Sequence, residues 1–222
     1  DITLNGSSVG ASGVLVTGRL TTDQMGDITV RGTTTALSSS GVRIELPAGI
    51  LPTDFGDLDI TGTAPAGASL LDIHYSTGLD ITSKLGGSVV YNSPVLVTGG
   101  GTVTGFIDFS ILDGIEVSGG AFLLTSTGNT VWNGNSFIRS DTSVAGGGTV
   151  SLGTPSIVLD NSQLTFAKDV FLTSDVTIAS VSGVCSFVGR TDGTHKLSLD
   201  GVGSYGFAAA IGSLTALDTL TL

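Results

Sequence analysis

The last third of the chain repeats itself at a fixed interval, and that interval constrains the fold more than any other feature. Ile157, Ile178, Leu199 and Leu220 follow one another at a constant step of 21. Phe166, Phe187 and Phe207 keep almost the same step, 21 and then 20. Two apolar registers advancing together describe a chain that returns to the same place once per turn. One turn of a parallel β-helix takes on the order of 20 residues, in two or three short strands joined by turns. Equivalent strands then pair in parallel about 4.8 Å apart, and identical positions stack as ladders. The phenylalanines are expected to form one internal column, and Ile157, Ile178, Leu199 and Leu220 a second. The alternate residues Thr165, Thr177, Ser186, Ser198 and Thr221 then face solvent.

Composition agrees with short strands. Thirty-four glycines accompany only 5 prolines, and glycine among abundant Thr, Ser, Val and Leu suits strands joined by tight turns. Runs of Ala, Leu, Glu and Lys at helical spacing are missing, which argues against long helices. A β-sandwich gives no reason for a fixed echo of this kind. A transmembrane barrel needs longer alternating strands with aromatic girdles, and aromatic residues are only 6% of this chain. The expected fold is an all-β, right-handed parallel β-helix of about ten rungs of roughly 21 residues, a rod roughly 50 Å long at the usual strand spacing.

The whole of 1–222 reads as one domain. Residues 1–156 are expected to form irregular rungs with loop insertions, and 157–222 regular repeats. Asp1-Ile-Thr-Leu4, Asp27-Ile-Thr-Val30, Asp59-Ile-Thr61 and Asp80-Ile-Thr82 read as one rung recurring with inserted turns. In each, the aspartate can cap or end a turn. Pro47 and Pro52 end the strand at Val42–Leu46 and make Pro47–Gly56 a projecting loop. The chain begins and ends in mid-pattern, as expected of a fragment of something longer.

The charge balance restricts partners. A net charge of −11 with only 8 Lys and Arg excludes a phosphate-tracking nucleic-acid surface and disfavours anionic lipid headgroups. No apolar run approaches transmembrane length. The single Cys185 sits in Val184-Cys-Ser-Phe-Val188, where it is expected in the core as a small hydrophobe.

Candidate chemistry is sparse. Asp54, Asp57 and Asp59 cluster beyond the loop, where turn capping is a better reading than a Ca2+ site, which needs several convergent oxygens. Asp108, Asp113 and Glu116 are interleaved with apolar residues and read as solvated carboxylates rather than an acid–base pair. His74 and His195 have no second histidine or carboxylate at a fixed spacing and read as solvated. Trp132, in Asn129-Thr-Val-Trp-Asn-Gly-Asn135, suits either core packing or an exposed platform for a sugar ring, with packing favoured. The sequence therefore predicts no catalytic, cofactor-binding or metal residues, with Trp132, Asp54 and Asp57 as the candidates for surface binding.

The run Leu197–Leu222 resembles the repeat unit of very large exported bacterial adhesins, the filamentous-haemagglutinin-like and autotransporter-passenger β-helix proteins. Their pattern L-x-L…G…F…(V/I)-G…L-x-x-L-x-V is met by Leu197, Leu199, Gly203, Phe207, Ile211, Gly212, Leu214 or Leu217, and Leu220. Asp169–Ile178 is similar to the strand pair that usually precedes that unit. The resemblance covers the stretch from Ile157 to Leu222 well and the rest only in style, and the N-terminal secretion motifs of the two-partner family are absent. It implies export to the bacterial surface or beyond, a long parent chain, and a stiff stalk displaying loops to host cells, other bacteria or a matrix, with a glycan as one such ligand. Two other expectations are compatible with the composition. One is a polysaccharide-degrading β-helix enzyme, for which the clustered acids and bases are lacking. The other is a surface-layer or matrix lattice protein.

Overall fold

The computed structural model describes residues 1–16, 28–36, 39, 41–46 and 108–222, with seven further strands between them: Leu51–Thr53, Leu58–Thr63, Leu71–Tyr75, Leu79–Ser83, Ser88–Tyr91, Val95–Thr98 and Gly101–Phe106. The described residues form an all-β parallel solenoid with no helix. Three sheets, A, B and C, wall the coil with nine, ten and eight strands. The chain visits them in rotation: Thr149–Gly153 lies in A, Ser156–Leu159 in B and Gln163–Phe166 in C, before Asp169–Leu172 returns to A. Each strand is three to seven residues long, and in most of those whose side chains are described, Ile28–Thr34 and Val176–Ser180 among them, alternate side chains point into the coil.

Apolar residues at alternate positions stack into interior columns because every turn pairs in parallel with the next. In sheet C, Val144, Phe166, Phe187 and Phe207 are successive partners. The Phe166 and Phe187 rings stack at 5.3 Å between centroids, and those of Phe187 and Phe207 at 4.9 Å with only 6° between planes. In sheet B, Ile157, Ile178 and Leu199 are partners, as their spacing predicts. The last member of that column is a correction. Leu220 pairs with Leu197 instead of Leu199, because the step between the last two strands of the sheet lengthens from 21 to 23. It is 38% exposed.

The rung count is also corrected. The regular coil amounts to about 5 turns instead of ten, because the step of 21 does not hold throughout. In sheet A, Ile2 pairs with Ile28 and Ile28 with Leu58, steps of 26 and then 30. The step shortens to 20 between Val89 and Phe109 and stays at 20 or 21 from there to Thr191. Even spacing therefore begins well before Ile157. The early echoes are only partly equivalent. Ile2-Thr3 and Ile28-Thr29 are in register. Asp59 instead pairs with Thr29, two positions out of step, and Asp80-Ile-Thr82 belongs to sheet C rather than A.

Serine and threonine occupy both sides of the wall. Thr165, Thr177, Ser186 and Ser198 are on the outer side, half-buried. Ser126, Thr130, Ser136, Thr142, Thr154, Ser162 and Ser180 are buried inside. There they satisfy backbone groups where the chain turns between sheets: Thr142 donates to Ser140 O at 3.0 Å, and Ser180 Oγ accepts from Gly183 N at 2.7 Å. A buried turn without such partners would leave peptide groups unpaired at a cost of about 1–3 kcal/mol each.

Candidate functional site

The acidic residues of the coil hold successive turns together. Asp108 Oδ1 accepts the Asn129 backbone N–H at 2.7 Å, one turn ahead, and Asn129 Oδ1 in turn accepts that of Thr149. Asp141 does the same for Gln163, Asp169 for Arg190, Asp175 for Lys196 and Asp192 for Leu214, at 2.8–3.0 Å. The aspartates cap turns, as their sequence positions suggest, but the turn capped lies one rung above their own. Asp169 also binds the Arg190 guanidinium, and these hydrogen bonds hold its carboxyl below the usual carboxylate range. Glu116 pairs with Arg139, whose guanidinium also lies over the Phe137 ring at 5.7 Å. Asp108 and Glu116 sit in different sheets, so the interleaved acids are not brought together as a pair.

Trp132 is fully buried. It stands in sheet A between Ile111 and Leu152, meets the Phe166 ring edge-on at 6.0 Å, and donates its indole N–H to Ser136 Oγ at 2.9 Å. Of the two readings of its sequence context, the favoured one, core packing, holds, because a ring with no exposed face cannot stack on a ligand. Asp54 and Asp57 lie outside the described residues, as do most of the Pro47–Gly56 loop and the side chain of His74. Cys185 is buried between Leu164 and Tyr205, and burial pushes its thiol up, away from the reactive thiolate. His195 does have a carboxylate partner: its Nδ1 lies 3.6 Å from Asp175 Oδ1, one turn earlier.

The least expected group is Lys168, only 3% exposed. Its ammonium reaches back two turns inside the coil and donates to Ser126 Oγ at 2.9 Å, Gly128 O at 2.8 Å and Thr130 Oγ1 at 3.2 Å. All three ammonium hydrogens thus have neutral oxygen partners. Burial lowers its pKa from 10.5 to about 8, against a smaller raising effect of Asp108. No spacing rule points to this residue, since Ala167-Lys168-Asp169 reads as an ordinary solvated turn.

Outside the coil, the described surface is shallow. A depression of about 300 Å3 over sheet C is edged by Leu123, Asp141, Ser143, Gln163 and Thr165. Its one carboxylate already accepts the Gln163 backbone N–H. Among the described residues, no three His, Cys, Asp or Glu side chains converge as a metal site. No helix of the described residues is long and apolar enough to cross a membrane. Fold and surface together define a repetitive β-solenoid protein. Comparison with known proteins finds no family model, no curated protein and no solved structure that matches the chain.

Proposed function

We propose that this chain is a structural and adhesive segment of an exported bacterial surface protein. It acts as a stiff, right-handed solenoid stalk that displays binding loops and performs no chemistry of its own. One observation carries the reading. The described charged side chains are largely committed to holding one turn on the next, through Asp-to-backbone caps, the Asp169–Arg190 pair and the buried Lys168. A wall built in this way favours shape persistence, and binding specificity falls to loops and to exposed side chains such as Phe137, 43% exposed beside Arg139 and Glu116.

The ligand class is a host-cell, bacterial or matrix surface component, with glycans among the candidates. No metal or cofactor is required. The test is to immobilise the protein and measure retention of host cells, bacterial cells and extracellular-matrix glycans. Saturable binding to one of them, with no new reducing ends or unsaturated products from acidic polysaccharides, is the expected result. Product release would overturn the reading in favour of a lyase or hydrolase. Calcium-dependent two-dimensional arrays without binding would favour a lattice protein.

A further inference from the structure

Sheet C carries a hollow in the middle of the coil, where turns continue on both sides. Leu123, on the strand Phe122–Ser126, faces outward and is 38% exposed. Its partner one turn on is Ser143, followed by Thr165 and then Ser186. A leucine followed by small hydroxyl residues in one outward column leaves a step in the wall, and the depression of about 300 Å3 lies there. Gln163, two positions before Thr165 and so on the same face of its strand, is exposed and borders it.

The polar groups around the hollow are uncommitted. Hydroxyls inside the coil are used on backbone groups at the turns, as Thr142 and Ser180 are. The Ser143 and Thr165 hydroxyls and the Gln163 carboxamide make no hydrogen bond among the described residues. Asp141 gives Oδ1 to the Gln163 backbone N–H at 2.9 Å and has a second oxygen without a partner among those residues. The lining holds this one carboxylate and no lysine, arginine or histidine, so phosphate, sulfate and uronate groups are repelled rather than held. An extended peptide would need a free strand edge. Phe122–Ser126, Thr142–Gly146 and Gln163–Phe166 are each paired on both sides, so a ligand here is met by side chains alone.

We propose that this hollow binds a neutral oligosaccharide, laid along the coil axis across the turns that carry Leu123, Ser143 and Thr165. The inference rests on the adhesive reading and gives it a site and a ligand class. Two hydroxyls and a carboxamide can both donate to and accept from sugar hydroxyls, and the carboxylate can accept from them. Leu123 and Ala121 present C–H surface beside these groups. A sugar ring, with hydroxyls at its edge and C–H groups on its face, matches both. The volume is at the lower end for small-molecule sites.

Biolayer interferometry of the whole chain tests this against immobilised neutral oligosaccharides of glucose, mannose, galactose and N-acetylglucosamine, with oligogalacturonate and a sulfated oligosaccharide as acidic counterparts. Saturable binding to at least one neutral oligomer, and none to the acidic ones, is the expected result. Ser143→Phe, which fills the hollow, should abolish it. Gln163→Ala should weaken it roughly three- to tenfold. Thr177→Val, on the outer side of sheet B, should leave it unchanged. Circular dichroism checks that each variant keeps the wild-type β signal. If Ser143→Phe does not, Thr165→Val replaces it, since it removes one hydroxyl from the outer face and keeps a strand-forming side chain; a loss like that of Gln163→Ala is then expected. A preference for the acidic oligomers, binding untouched by the sheet C variants, or no binding to any of the neutral oligomers would each overturn the proposal. None of these decides the adhesive reading, which stands or falls with the retention of cells and matrix.

Discussion

Lys168 shows how a single residue sets the pH response of a coil. Its pKa of about 8 lies below the ordinary 10.5, so between these values the unfolded chain binds more protons than the folded one. Stability therefore rises with pH across that window, and the cost of burying the charged ammonium is fully present below pH 8. The shift corresponds to on the order of 3 kcal/mol. Replacing Lys168 by methionine should abolish the rise, measured as urea midpoints across the same window and just beyond it on either side. Ser126 Oγ and Thr130 Oγ1, 3.1 Å apart, remain to satisfy each other. An unchanged pH profile in the variant would show that the ammonium is solvated. Trp132 is a second residue with a local consequence. Trp132→Phe removes the bond to Ser136 and leaves a void, and should cost about 1–3 kcal/mol in denaturant unfolding. Because it is the only tryptophan, native fluorescence should be blue-shifted and protected from acrylamide.

Among the elements, the phenylalanine ladder was the most legible in the sequence, since identical residues at steps of 21 and 20 stack as their spacing says. Phe187 lies between two rings, whereas Phe207 closes the stack and is half-buried. Phe187→Ala should therefore cost about 3–5 kcal/mol, in the range of buried aromatic truncations, and Phe207→Ala distinctly less, by thermal or urea unfolding. Equal losses would mean that the final turn is as well packed as the interior. The Leu220 register was not legible, because lengthening a turn by two positions keeps the same face of the strand and leaves the apolar alternation intact. The same ambiguity concealed that Asp59 pairs two positions away from the expected register and that Asp80 lies on another wall. Nor could spacing show that the aspartates cap the turn above. A capping residue is recognisable by type, but its partner is fixed only once the turns are stacked.

For the molecule as a whole, the parallel solenoid was readable from one period, while the number of regular turns was not. Period detection needs similar residues at equivalent sites. The column Phe109, Thr130, Val150, Val170, Thr191 keeps a step of 20 or 21 while changing residue type at almost every turn. Among the candidate binding residues, Trp132 was legible only as a choice between packing and platform, because a tryptophan flanked by Asn and Gly fits either face of a wall, and its burial decides for packing. Since each turn touches mainly its neighbours, stability is close to a sum of local terms. A chain ending at Gly201 should thus keep its β circular dichroism per residue and lose only the contribution of the last turn. Complete unfolding would contradict that local additivity. The same parallel pairing of turns has a mechanical side. Pulled from its two ends, such a coil loads one turn's hydrogen bonds at a time, as a zipper does, instead of all of them together. Each regular turn releases about 70 Å of contour at the reach of an extended chain, so force spectroscopy should show a train of small, evenly spaced steps: a tether that yields by instalments under shear and lengthens before it breaks.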